Sequence, residues 1–188
     1  MTTKTALCVA ALAITVGAST VALGQGAALN VDTVVKDLFE PYSIVVDRST
    51  TNNYYYISER ADGVGDRVIR YQPGLKRVAF LTDNEGFDLQ GIVLLGQDVI
   101  AADAGHHRIL RLRAQTPFEV IAGTGQQGAT DGIGGAAQFS TPSGLATDGT
   151  NVFVADSKNN AIRKLTPMLD NLGAVTNWMV STFAKGPF

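Results

Sequence analysis

One block of short strand signals occurs twice in this chain without a gap, and it limits the fold more than any other feature. Residues 139–165 read FSTPSGLATDGTNVFVADSKNNAIRKL. Pro142 and Gly144 open the block, and Leu145 and Ala146 run into the turn dipeptide Asp148-Gly149. The apolar VFVA, the polar DSKNN and the alternating AIRKL follow. Three short strands with turn chemistry between them make a meander rather than a helix. Residues 91–112, GIVLLGQDVIAADAGHHRILRL, align on the same pattern. Twelve positions separate Gly91 from Asp103 and Gly144 from Asp156; nine separate Asp103 from Leu112 and Asp156 from Leu165. A looser copy starts at Pro41 (YSIVVD, YYYISE, DRVIRY), with longer first and second turns. Glu59, Asp103 and Asp156 are then equivalent, 44 and 53 residues apart. A period near 45 residues with several strands per unit predicts propeller blades.

These residues resemble a known family. PSGLATDGTNVFVADSKNNAIRKL followed by VSTFAKG is similar to the NHL repeat of bacterial exported β-propellers. AADAGHHRILRL followed by FEVIAGTGQQGATDGIGGAAQF resembles its neighbour, glycine-rich blade connection included. The resemblance covers about residues 35–188 and is strongest in the last two repeats. It implies an all-β chain, a partial β-propeller of about three four-stranded blades in repeats of about 41–86, 87–135 and 136–188. It says less about activity, because propellers host binding proteins, scaffolds and enzymes alike.

The start of the chain reads as an export signal over residues 1–28. Lys4 is followed by an apolar run from Ala6 to Leu23, and small residues at Ala22, Gly24 and Gly26 suit a peptidase site. The expected location is secreted or periplasmic, with no membrane span left after cleavage. Cys8, the only cysteine, lies inside that segment, so disulfides, thiolate zinc and thiol nucleophiles are not expected in the remainder. The formal charge is −2, or −3 without Lys4, which gives no global field for nucleic acid.

Residues 29–40 carry an extra strand signal at about 33–38, before the first repeat. By register it corresponds to FEVIAG (118–123) and WMVSTFAK (178–185), the strands that lead out of a blade. Closed rings take about four to eight blades, and three plus one strand fall short. The expectation is the N-terminal part of a longer propeller or a truncated copy of one. A less favoured alternative is a three-blade chain that closes by self-association. An open array exposes blade faces and strand edges.

Each motif with chemical potential has a structural reading that the sequence favours. GTGQQG (Gly123–Gly128) has dinucleotide spacing, but the ATDGIGGAAQF after it shows no helical period. Without a helix N-terminus nothing there holds a pyrophosphate. His106 and His107 are adjacent, and on a strand neighbours face opposite ways, so a bracing role in the turn is expected. Glu59, Asp103 and Asp156 could in principle hold calcium. Recurrence at a turn predicts instead that each carboxylate accepts N–H groups of the turn that follows it. Asn159 and Asn160 fit the same turn, whereas DGVGD (62–66) implies a different brace in the first repeat.

In RILRLR (Arg108–Arg113), Arg111 and Arg113 share one strand face, expected to be solvated. Tyr54, Tyr55 and Tyr56 form the largest aromatic cluster, and Tyr54 and Tyr56 on one face are expected to be exposed, a platform for sugar or protein. No Ser/His/Asp set assembles, and no catalytic, metal-ligating or cofactor-binding residue is assigned. The functional expectation is a non-catalytic protein- or carbohydrate-binding module. The alternative is a propeller enzyme of metal-dependent lyase or lactonase type whose site needs additional blades.

Overall fold

The computed structural model describes residues 35, 38–49, 53–61, 65–72, 78–81, 86–113 and 116–186. The leader expected over 1–28 lies outside them, as does the strand expected over 33–38 apart from Val35 and Leu38. The described chain is all-β. Blade 1 contains β1 (Pro41–Asp47), β2 (Tyr54–Ala61), β3 (Gly65–Tyr71) and β4 (Val78–Leu81). Blade 2 contains β5 (Leu89–Leu95), β6 (Asp98–Asp103), β7 (Arg108–Leu112) and β8 (Glu119–Ala122). A two-strand-residue segment β9 (Gly132–Ile133) precedes blade 3, built from β10 (Pro142–Thr147), β11 (Val152–Asp156), β12 (Ala161–Leu169) and β13 (Val175–Lys185).

Every blade is an antiparallel meander, as the turn chemistry predicts. Blades 1 and 2 have four strands in sequence order. Blade 3 departs from four, because β9 adds a fifth strand outside β13 through Ile133↔Met179 and Gly132↔Val180. The glycine-rich connection is therefore part of the sheet it leads into.

Register makes the repeat literal. Glu59, Asp103 and Asp156 pair across with Pro41, Leu89 and Pro142, the first residues of their blades' inner strands. The third and fourth strands of every blade carry a register shift at one position, between Val68 and Ile69, Ile109 and Leu110, and Ile162 and Arg163, and blade 3 adds a second between Met168 and Leu169. The Val68, Ile109 and Ile162 shifts are at equivalent positions. Phe183 is the extra residue at the blade 3 shift, and its ring lies 5.2 Å from that of Phe153.

Strand alternation splits each sheet into two faces. In blade 2, Val99, Ala101, Leu110 and Leu112 turn to blade 1 and join Tyr56 and Val68 in one buried cluster. Ile100, Ala102, Ile109 and Ile121 turn the other way and meet Val152, Val154, Leu165, Trp178 and Val180 of blade 3. Ala137 and Phe139, from the connection, wedge into the second cluster. Full burial of each branched side chain contributes about 1.5–3 kcal/mol, so these two interfaces form the core. The inner strands approach closely as well: a Cβ on Gly91 would overlap the Ser143 carbonyl oxygen, so only glycine fits there.

Candidate functional site

The recurring carboxylates gather the densest polar groups, and all three sit at the same end of their blades. Each accepts a backbone N–H from just ahead of its blade's first strand or at its threshold. The Phe39 N–H reaches Glu59 Oε2 at 3.1 Å, Asp88 N–H reaches Asp103 Oδ1 at 3.2 Å, and Ser140 N–H reaches Asp156 Oδ1 at 2.6 Å. This corrects the expected donors. The carboxylate ties its strand back to the incoming chain, 15 to 20 residues earlier, rather than to the turn that follows.

The turn contributes side chains instead. His106 Nδ1 lies 3.0 Å from Asp103 Oδ1, and Asn159 Nδ2 donates to Asp156 Oδ2 at 2.7 Å. His107 and Asn160 take left-handed backbone at φ 52 and 49. His107 Nδ1 accepts the Thr141 N–H at 3.1 Å, so the adjacent histidines brace two different blades.

Arginines complete each brace, and sequence reasoning missed that role. Arg67 Nε donates to Glu59 Oε1 at 2.7 Å, and Arg108 Nε to Asp103 Oδ2 at 2.8 Å. In blade 3 the position paired with the carboxylate is Ala161, and Arg163 supplies the cation from two residues further on. Its guanidinium, 1% exposed, holds Asp156 Oδ2 at 3.0 Å, Asp131 Oδ1 at 2.6 Å and the Gln138 and Thr130 carbonyls, and it lies over the Phe139 ring. The signal was an arginine within the first three residues of each third strand: Arg67, Arg108 and Arg163.

Partial burial pushes the Asp131 carboxyl up. The Thr182 N–H, Arg163 and the Thr182 hydroxyl outweigh it and hold the group below the usual aspartate value. In blade 1 the different sequence does give a different brace. Asp66, at the end of DGVGD, accepts the Leu89 N–H of blade 2 at 2.7 Å, and desolvation raises its pKa despite that bond.

Two other sequence candidates change meaning. Tyr54 and Tyr56 do share a face, but it is the face packed on blade 2: Tyr56 is 6% exposed and Tyr54 packs on the same cluster. The expected exposed platform is core, because the alternation that pairs the two rings also places them opposite Phe87 and Leu89. Arg111 and Arg113 are not simply solvated. Arg111 pairs with Glu119, and Arg113 Nε donates to Asp98 Oδ1 at 2.6 Å.

What stands out at the surface is the β12–β13 hairpin. β11 pairs with β12 only as far as Leu165, whereas β12 and β13 stay paired to Leu169↔Val175, so the hairpin projects beyond its blade. Its turn is fixed by Asp170, which accepts the Leu172, Gly173 and Ala174 N–H groups and donates its own N–H to Ala174 O. Leu172 is 93% exposed at the tip, with Leu169 and Val175 exposed beside it. At the hairpin's base an open groove of about 250 Å³ runs between blades 2 and 3, lined by Arg111, Glu119, Val120, Gly134, Thr176 and Trp178. That is smaller than the roughly 300–1,000 Å³ clefts that enclose small ligands.

Tandem four-stranded meanders, stacked face to face with one carboxylate brace per unit, define a blade-repeat protein of the β-propeller class. No family model matches the chain. It is 36% identical over 67 residues to NHL repeat-containing protein 2 of Bos taurus, covering 36% of this chain and 9% of that protein. The Homo sapiens protein of that name gives the same figures. Protein SUPPRESSOR OF QUENCHING 1, chloroplastic, of Arabidopsis thaliana is 36% identical over 104 residues, 54% of this chain and 8% of that protein. The chain thus spans a tenth or less of these relatives' lengths. The chain is similar to NHL repeat-containing proteins over about a third of its length, and its fold is a partial propeller.

Proposed function

We propose that the chain is an exported, non-catalytic interaction module that binds another protein at the rim formed by the β12–β13 hairpin and the adjoining groove. The observation that carries this reading is Leu172, an apolar side chain held out in water on a turn fixed by Asp170. A rigid apolar anchor beside an open groove suits a protein surface, where ordering costs are low and a few anchors dominate. A protein ligand is favoured over a polysaccharide because Tyr54 and Tyr56, the stacking pair a sugar would use, face the core. The recurrent carboxylates support a structural role for the polar residues, since each is already engaged by backbone and arginine donors.

A photoreactive residue at position 172 tests the site. It is expected to cross-link one protein whose purified form then binds the chain, and Leu172→Asp is expected to weaken that binding about tenfold. Unchanged affinity in Leu172→Asp, or saturable binding of a polysaccharide instead, defeats the proposal. Export rests on the apolar run from Ala6 to Leu23. N-terminal sequencing of the protein from its native source is expected to begin near Ala27, and an intact Met1 would remove that part.

A further inference from the structure

The residue just ahead of the third strand links one blade to the next. Asp66 precedes Arg67, which pairs with Glu59, and His107 precedes Arg108, which pairs with Asp103, so the two positions are equivalent. Asp66 Oδ2 accepts the Leu89 N–H of blade 2 at 2.7 Å, and Leu89 is the partner of Asp103 at the start of the inner strand. In blade 3 that place belongs to Pro142, the partner of Asp156, and proline has no N–H to give. The donor moves back one residue, and the Thr141 N–H meets His107 Nδ1 at 3.1 Å. Both junctions thus close with a backbone N–H on a side chain of the preceding blade.

The two acceptors differ in chemistry. A carboxyl keeps an oxygen lone pair for the N–H whether or not it carries a proton. An imidazole nitrogen accepts only while it has no proton, so the bond fixes His107 as the neutral ring with its hydrogen on Nε2. Protonation at Nδ1 turns the ring's acceptor into a donor, and the bond is lost. Its loss also releases strain, because Thr141 is β-branched and sits at φ 54, a conformation that persists only where neighbours hold it. Within blade 3, Ser140 N–H is held by Asp156 Oδ1, Lys158 N–H by the Ser140 carbonyl, and Ser157 N–H by the Thr141 carbonyl. His107 adds the tie from blade 2.

The titratable and charged groups around this bond come from the elements on either side of it. On the histidine's own turn, Asp103 is engaged by His106 and Arg108. On the blade 3 side, Asp156 is engaged by Ser140, Asn159 and Arg163, and Lys158 lies on the turn that follows it. The connection contributes glycine backbone, Gly123 against His107 and Arg108 and Gly125 against His106.

We infer that His107 is an acid-released clasp: it holds the threshold of blade 3 to blade 2 while neutral, and its protonation frees Thr141 and loosens that junction while the junction of blades 1 and 2 stays closed. Imidazole changes charge between about pH 5 and 8, which sets the working range. The clasp does not depend on what the rim of the molecule binds.

Amide exchange of the full chain, followed by NMR and divided by the intrinsic rate at each pH, tests this. Protection of the Thr141 N–H is expected to fall about tenfold from about pH 8 to about pH 5, the effect of losing one hydrogen bond. Protection of the Leu89 N–H is expected to hold. His107→Asn places an oxygen where Nδ1 stood and gains no proton, and Asn160 shows that asparagine takes the left-handed backbone at the equivalent site of blade 3. In that variant Thr141 protection is expected to stop varying with pH. His106→Asn, which removes the other histidine, is expected to keep the parent's response. Constant protection of Thr141 in the parent, or an equal fall at Leu89, overturns the inference without any variant. A response that survives His107→Asn, or one that disappears in His106→Asn, overturns it as well.

Discussion

Blades 2 and 3 start from the same gapless pattern and hold their aspartates in different ways. In blade 2 the cation, Arg108, sits opposite Asp103 at the strand's end, between the rings of Phe87 and Phe118 at 5.5 Å from each. Its side chain keeps some contact with water. In blade 3 the cation has moved two residues inward to Arg163, the position held by Leu110 in blade 2's core. From there it reaches Gln138, Thr130 and Asp131 in the connection as well as Asp156. In blade 2 the described hydrogen bond of Arg108 runs to Asp103, five residues away. The clamp of blade 3 fastens a glycine-rich segment 25 to 33 residues away. A repeat can thus preserve its carboxylate and still change what the carboxylate's partner holds.

The strongest way to break this contrast is Arg163→Leu, which installs blade 2's residue. Removing one partner of a buried pair leaves an uncompensated charge, and about 3–5 kcal/mol of stability is expected to go, read by denaturant unfolding. Arg108→Leu is expected to cost less, about 1–3 kcal/mol, because Arg108 is partly exposed, whereas Arg163 is buried and also holds Gln138, Thr130 and Asp131. Equal losses in the two variants would erase the distinction. Ala161→Arg combined with Arg163→Leu sharpens it: the transplanted clamp is expected to recover Asp156, while amide exchange between residues 128 and 138 stays faster than in the parent.

A smaller effect, about 1–3 kcal/mol, is expected for Gly91→Ala, where the new methyl group pushes β5 from β10. Gly86→Ala has open space around it and serves as the control for backbone strain alone.

The smallest effect is a pH dependence at the exposed β10–β11 turn. There the Asn151 N–H and side chain and the Thr150 N–H hold Asp148 at about 2, below the ordinary 3.8. A lowered folded pKa contributes stability above the unfolded value and loses it as pH falls toward the folded one. Asp148→Ala is therefore expected to flatten the stability profile between about pH 4 and 2 and to leave its shape at neutral pH unchanged. A profile in the variant as steep as the parent's would remove Asp148 from the acid response.

The fold was readable in the sequence where local chemistry repeats. The turn dipeptide Asp148-Gly149, the alternation in AIRKL and the 12-residue spacing from Gly91 to Asp103 each mark a strand or turn that the structure contains. Parity alone placed Leu110 and Leu112 on one face and Arg111 on the other. What stayed hidden depends on the third dimension. Parity pairs Tyr54 with Tyr56 but does not say which face the next blade covers. The bonds from Phe39, Asp88 and Ser140 to their carboxylates span 15 to 20 residues, a distance over which turn rules carry no information. The short strand β9 lies in a stretch whose glycines read as connection, and its pairing with Met179 comes from neighbours some 46 residues on. The exposed rim at Leu172 had a signal, a Leu inside the turn DNLG, which is unusual because a turn buries little.

The long reach of Arg163 also bears on the order of events during folding. A blade assembles from consecutive hairpins, whose short loops close quickly. The bonds from Arg163 to Thr130 and Asp131 close a loop of more than 30 residues and gain only when both ends are already in place. Such contacts form late, so losing them speeds unfolding and barely slows folding. Arg163 then acts as a kinetic latch: the lifetime of the native blade, more than the speed with which it forms, is set by one side chain reaching back into the connection.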